Sequence, residues 1–421
     1  VSREGGENGI VKGRNRYKTL TQDGIESYDY KTEGGFMERR IRIVGLLLLL
    51  CLLVTYQLPV AEAAGKEPYK IGAVLPLTGP VSWLGGLADE GTKIRVEMIN
   101  KAGGVNGHPL ELITYDSQSK PEEANMVAQR LITRDQVVAI IGDGSVPIAA
   151  PVFALGNQKK VPVFFACGYA IDPLKEPFSF NQAHPTEFAV ARPFKYFKEK
   201  GMTKVAFLMV VGSLGELGTR IGKKVAPEYG ITVVGEEKFE AQATDVTPQL
   251  TKLRGLKPDV IFSFTTGEPA AMIARNMAQL NMTIPLLVSH GNASPGFLKM
   301  VGNLPVNVIV PAGKITVVDQ IPDSDPAKKV LQAFNKVYVE RFKAPATYYA
   351  GQSADGVALI AEGLRIAKSG DTVKVRNALE GIRNFVGNNG IFNMSPKDHQ
   401  GTRLEDMVNT TIKNGKWQLL Q

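Results

Sequence analysis

Cysteine and histidine are scarce. Two cysteines in 421 residues are too few for a disulfide scaffold or a cysteine-based zinc cluster. Four scattered histidines do not build a histidine-rich metal centre. No run of five or more like charges occurs. The formal charge of +8, from 49 Lys and Arg against 41 Asp and Glu, therefore speaks for solubility and not for nucleic-acid binding. Catalytic signatures are missing too. There is no HExxH, no GxSxG, no Walker A lysine loop and no Cys/His pair in one loop. No motif sets a nucleophile beside its base, which favours binding over catalysis. The remaining composition, 44% apolar, 21% charged and 8% aromatic, is that of an ordinary globular protein with length for two or three domains.

The one long apolar run is near the N-terminus. Met37 is followed by Arg39, Arg40 and Arg42, then by the 12-residue stretch Ile43–Val54. Pro59 breaks it, and Ala61-Glu62-Ala63 has the small-x-small cleavage pattern. A membrane span needs about 20 apolar residues, so 37–63 reads as a signal peptide and a retained anchor is the weaker reading. Leu50 and Leu52 flank Cys51, which is not the setting of a lipid-modified cysteine. Residues 1–36 carry as many basic as acidic residues and little apolar pattern. They read as an upstream leader, either non-native or disordered. The expected mature chain is Ala64–Gln421, with Cys167 as its one cysteine.

Strand and helix then alternate, twice over. Tyr69–Leu75 reads as a buried strand, Ala88–Lys101 as a helix stopped by Gly103-Gly104, and Leu110–Tyr115 as a strand. Pro121–Thr133 is a helix with Pro in its first turn. Val137–Ile141 is a continuous apolar run, as in a strand buried on both faces. A helix over Pro147–Asn157 and a strand over Val161–Phe165 complete the first block. The second block has strands at Lys204–Val210, Ile231–Glu236, Asp259–Phe264 and Ile284–Ser289. Its helices are Leu217–Tyr229, Pro248–Leu256 and Pro269–Asn281. Val306–Pro311, helices Pro326–Phe342, Ser353–Lys368 and Val373–Gly381, and the strand Ile391–Met394 follow. Asn414-Gly415 joins Met407–Lys413 to Lys416–Leu420 as a hairpin. This pattern predicts an α/β fold of two doubly wound lobes with parallel sheets and right-handed crossovers. Ligands of such sheets sit outside the carboxyl ends of the strands. The chemistry is therefore expected at Thr78–Gly85, Gly142–Pro147, Ala166–Ala170, Gly212–Gly215, Thr265–Glu268 and Ser289–Asn292.

Gly142–Pro147 (GDGSVP) follows a strand and opens a helix, but Pro147 stands at the third glycine of a dinucleotide fingerprint. Its backbone N–H groups suit an anion such as a ligand carboxylate, or Ser145 simply caps the helix. His290 ends a strand, where a lone histidine is more often structural. Trp83 sits in a Gly-rich loop, where ligand stacking and lobe packing are both open. Glu216 and Glu268 read as solvated acids at helix starts.

Ile71–Gly85 (IGAVLPLTGPVSWLG), Asn100–Gly107 (NKAGGVNG), Tyr115-Asp116, Lys120–Ala124, Val137–Gly142, Thr244–Gln249 and Pro258–Phe262 occur in an order that resembles the Leu/Ile/Val-binding protein family. These are the type I periplasmic substrate-binding proteins of branched-chain amino-acid ABC importers. The resemblance implies two Rossmann-like lobes joined by three crossings, with the ligand between them. Lobe I is then 64–186 plus 314–399, and lobe II is 187–313 plus 400–421. It also implies a small-molecule ligand, an inner-membrane ABC permease as partner, a periplasmic location and a monomer. It implies no cofactor, no metal, no nucleic acid and no catalytic residue.

By position, the implied ligand-binding set is Trp83, Leu84, Ser145, Val146, Cys167, Gly168, Tyr169, Leu214, Thr266 and His290. Val146 takes the place of a serine of the amino-acid binders, Leu214 and Thr266 take the places of tyrosines, and His290 takes the place of the acid that pairs with the ligand ammonium. A buried cation without a carboxylate is costly. The expected ligand is therefore a carboxylate with an apolar or aromatic body. The alternative is a branched-chain or other neutral amino acid held by a displaced acid: Asp143, Glu216 or Glu268. Two other classes stay open. A sensing module would need a signalling domain or partner, and an enzyme on this fold would need a catalytic dyad in the cleft.

Overall fold

The computed structural model describes residues 66–420. The expected leader and signal peptide lie outside the described residues. The first block consists of β1 (Tyr69–Leu75), α1 (Ser82–Lys101), β2 (Leu110–Asp116), α2 (Pro121–Thr133), β3 (Ala139–Asp143), α3 (Val146–Lys159), β4 (Val163–Ala166) and β5 (Ser179–Phe180). Its strands form one parallel sheet in the order β2-β1-β3-β4-β5. The chain then crosses into a second block, which begins with α4 (Phe188–Glu199). There follow β6 (Lys204–Val210), α5 (Ser213–Val225), β7 (Thr232–Phe239), α6 (Thr247–Gly255), β8 (Val260–Ser263), α7 (Glu268–Gln279), β9 (Leu286–Val288), α8 (Pro295–Val301) and β10 (Val308–Gly313). The order β7-β6-β8-β9-β10 repeats that of the first sheet.

The chain then returns with α9 (Lys328–Phe342), α10 (Tyr348–Ala367), α11 (Thr372–Glu380) and the short pair β11 (Phe385–Val386) and β12 (Ile391–Phe392). It crosses a third time to add β13 (Met407–Lys413) and β14 (Lys416–Leu419), antiparallel, beside β10. Asn414 and Gly415 both take positive φ, 51° and 67°, as the hairpin between them requires.

The burial of β3 explains its apolar run. Its alternate residues enter different cores. Ala139 and Ile141 pack with Val357, Ile360 and Leu364 of α10, whereas Ile140 packs with Leu131 of α2 and Phe153 of α3. The second sheet divides the same way. Leu208 and Ile261 face Ile273 of α7, and Phe207 and Phe262 face Phe194 of α4. Each sheet is thus covered by helices on both faces, as a doubly wound sheet must be.

Three helix starts fall four or more residues before expectation, and one of them is α5, at Ser213 instead of Leu217. α1 begins at Ser82 instead of Ala88, so Trp83 lies in a helical first turn and not in a loop. Gly85 and Gly86 weaken the helical signal there, but Gly85 serves packing: a Cβ on it would lie 2.2 Å from the Pro76 carbonyl oxygen. α10 begins at Tyr348, where the Thr347 side chain caps it by accepting from the Ala350 N–H. α4 has Pro193 in its interior, which breaks the sequence pattern of a helix.

Gly91 sets the closest approach of α1 and α10. A Cβ at 91 would lie 2.0 Å from the Ala350 carbonyl oxygen, backbone against backbone. Gly91→Ala should therefore force the helices apart and destabilise the protein by about 1–3 kcal/mol. Chemical denaturation checks this, and an unchanged midpoint would contradict the close contact. Among the described residues, no helix is long and apolar enough to cross a membrane.

Candidate functional site

Both sheets have the strand order that places a ligand crevice at the switch point beside the first and third strands. A cavity of about 150 Å³ lies there, walled by the strand exits of both lobes. The first lobe gives Asp143 and Gly144 after β3, Ala166, Cys167 and Gly168 at and after β4, and Leu84 of α1. The first crossing gives Ala183, His184 and Thr186, and the start of α10 gives Tyr348, Tyr349 and Gln352. The second lobe gives His290, just past β9.

Asp143 is the acid of this wall. It is the last residue of β3 and is 1% exposed. The Ser353 hydroxyl donates to its Oδ2 at 3.0 Å. Burial pushes its pKa up to about 8, against the smaller opposing pull of hydrogen bonds from Ser353 and the Gly144 N–H. At neutral pH the carboxyl therefore holds its proton. Among the described residues, neither lysine nor arginine lines the cavity.

The two histidines are also neutral. His184 is buried, with Nδ1 3.1 Å from the Tyr348 hydroxyl. Burial drives its pKa down to about 3, and His290 nearby pushes the same way. His290 packs against Phe264 and the edge of Tyr348, with ring centroids 6.2 and 6.5 Å away. Burial lowers its pKa to about 4. It keeps part of its surface open to the cleft, while its Nδ1 is buried without a hydrogen-bond partner. The Tyr349 hydroxyl donates to the Gly291 carbonyl at 2.9 Å. Burial pushes the Cys167 thiol up to about 12, so it is a thiol and not a reactive thiolate. The wall is thus apolar and aromatic, carries neutral donors and acceptors, and has no fixed charge at pH 7.

Of the residues expected from sequence, Leu84, Cys167, Gly168 and His290 line this cavity. Trp83 stands one layer out, edge-on to Tyr349 with centroids 5.3 Å apart. Ser145, Val146, Tyr169, Leu214 and Thr266 do not line it. Ser145 sits at the N-cap of α3, but its side chain makes no capping bond, and Val146 after it is 40% exposed. Tyr169 turns to its own lobe, its ring on Phe153 and its hydroxyl donating to Glu176. Leu214 packs on the core of the second lobe. Thr266 is exposed, its methyl over Gly291.

Of the three displaced acids considered, only Asp143 reaches the cavity. Glu216 is exposed, and Glu268 pairs with Arg275. His184, Tyr348, Tyr349 and Gln352 were not anticipated. They lie on the crossing and on the cap of α10, outside the strand-exit loops that periodicity marks. Among the described residues, no group of three or more His, Cys, Asp or Glu is placed to hold a metal ion.

Residues 68–416 match the model of the family described as periplasmic binding protein. The Leu, Ile, Val, Thr and Ala-binding protein of Pseudomonas aeruginosa is 27% identical over 332 residues, 74% of this chain and 82% of that protein. An extracellular ligand-binding receptor from Rhodopseudomonas palustris superposes with a TM-score of 0.73 at 22% identity, covering 84% of this chain and 99% of its own. A branched-chain amino acid transporter substrate-binding protein from Streptococcus pneumoniae, solved with isoleucine, gives a TM-score of 0.71 at 20% identity, covering 84% of this chain and 99% of its own. At these identities the structural likeness speaks for the fold alone.

Proposed function

The chain belongs to the periplasmic binding protein family, and from that footing we propose that it is the solute-binding subunit of an ABC importer, closing around a small ligand and delivering it to an inner-membrane permease. The basic, apolar and small-residue pattern over 37–63 supports export to the periplasm. The names of the relatives support a small organic solute as cargo. The family is one of binders, and a carrier should release its ligand chemically unchanged.

For the ligand we propose a carboxylate with an apolar or aromatic body. One observation carries this reading: the cavity is lined by neutral donors and apolar rings with no lysine or arginine, and its one acid, Asp143, is buried against the Ser353 hydroxyl, where burial raises its pKa. Neutral donors on His184, His290 and the backbone can meet an acceptor without a cation. Leu84 and the tyrosine rings suit an apolar body. A second reading, a neutral amino acid, is favoured by the same Asp143. Its carboxyl lies in the cavity and would receive an ammonium by giving up its proton.

A thermal-shift panel separates the two. It would set Leu, Ile, Val and Phe against benzoate, hydroxybenzoates, phenylpropenoates and short aliphatic acids. A ligand at about 100 times its Kd adds about 2.7 kcal/mol to the folded state. That should raise Tm by several degrees. The expected result is a shift with the carboxylates alone. A shift with Leu, Ile or Val instead would overturn the carboxylate reading in favour of the amino-acid one.

A further inference from the structure

The first turn of α10 belongs to two cores. Further along, Val357, Ile360 and Leu364 are packed in the first lobe with Ile141 of β3. At its start, Tyr348 and Tyr349 are buried among second-lobe residues, with Val288, Ala293 and Ala312. Its first turn lies backbone against backbone on α1 of the first lobe, at Ala350 and Gly91. The helix tip therefore enters the second lobe as a projection from the first. The Tyr349 hydroxyl then donates to the carbonyl of Gly291, the residue after His290. Trp83 of the first lobe stands edge-on to the same ring, 5.3 Å away at 87°.

We propose that the α10 tip is a bolt between the lobes, in which the Tyr349–Gly291 hydrogen bond, braced by Trp83, holds the cleft closed and sets His290 against the ligand. This rests on the proposed binding by closure, and it holds that the bolt is engaged in much of the unliganded protein too, so that the ligand captures a closed state already populated. The two rings supply apolar burial, which resists withdrawal but tolerates sliding. The hydrogen bond supplies the register, because it is directional and falls off steeply with misalignment. The Tyr349 ring lines the cavity, whereas its hydroxyl acts on the ligand only through the loop that carries His290. Tyr348 contributes its buried ring but no register, since its hydroxyl meets His184 of the crossing.

The test needs no ligand at first. Tyr349→Phe keeps the buried ring and removes only the hydroxyl. Small-angle scattering of the unliganded variant should give a larger radius of gyration than wild type. In a Trp417→Phe background Trp83 is the sole tryptophan, and acrylamide should quench it more strongly in the variant. Trp83→Ala, at a half-exposed position, should open the lobes in scattering while keeping the hydroxyl, and it carries the test if Tyr349→Phe does not fold. With a ligand from the panel, Tyr349→Phe should dissociate about fivefold faster, equivalent to about 1 kcal/mol. An unchanged radius and unchanged quenching would overturn the bolt even if a ligand binds. Failure of every ligand in the panel, with opening still seen, would instead count against the proposed cargo and leave the bolt supported.

Discussion

Asp143→Asn will gain stability over wild type as the pH rises from about 4 to about 8. The unfolded chain gives up the Asp143 proton near the ordinary value of 3.8, whereas the folded chain holds it up to about 8. Between those values the folded state binds one proton more. Stability from this group is whole below 3.8 and is lost as the pH climbs through 8, by about 1.4 kcal/mol per unit. Asparagine keeps the shape and carries no proton to lose. The gap should therefore widen in favour of the variant by up to about 5 kcal/mol between pH 4 and pH 8, then stay constant. His184 and His290 act with the opposite sign. The unfolded chain protonates them near 6.5, and the folded chain refuses until about 3 and 4. Their contribution is whole above 6.5 and is lost as the pH falls. Asp355, pushed up to about 6 by burial, and the histidines are common to both proteins, so their effects cancel in the comparison. Denaturant unfolding of both proteins at pH 5 and pH 8 reads the difference. An equal gap at the two values would mean that Asp143 is ionised in the fold.

The fold was legible because its signals are local. An uninterrupted apolar run such as Val137–Ile141 fits a strand covered on both faces, and the strand there runs two residues later, over Ala139–Asp143. Gly103-Gly104 and Asn414-Gly415 mark ends and turns by conformations that other residues resist. Four elements, Tyr69–Leu75, Pro121–Thr133, Lys204–Val210 and Met407–Lys413, lie where the pattern puts them. The misplaced boundaries have tertiary causes. Gly85 looks like a loop residue until Pro76 is seen against it. Tyr348 and Tyr349 carry no helical period, because one helix turn serves two cores. The cavity wall was legible where it coincides with strand exits, as at Cys167, Gly168 and His290. It was not legible at His184 or Tyr349, which a crossing and a distant helix bring to the cavity. The acid was visible all along as the last residue of β3. What the sequence could not carry is its protonation, which depends on burial and on a partner, Ser353, 210 residues away.

Asp143→Asn also reads the charge of the ligand. If the ligand is a carboxylate, Asp143 keeps its proton when the site fills. Binding at pH 7 should then exchange no proton, and the asparagine variant should bind within a few-fold of wild type. Wild-type affinity should fall about tenfold per unit above pH 8, because an ionised Asp143 would face a second carboxylate. At about 4 Å two like charges repel by several kcal/mol even at an effective dielectric of 20. The variant, with nothing to ionise, should show no such fall. An ammonium ligand demands the reverse. Asp143 must ionise to receive it, so close to one proton leaves on binding at pH 7. The variant would then strand a buried cation, a loss of several kcal/mol or more than 100-fold in affinity. Calorimetry in two buffers of different ionisation heat counts the proton directly. Zero protons with a pH-independent variant is the expected result. One proton released with a crippled variant would make Asp143 the ammonium partner, standing in for the acid that His290 replaces.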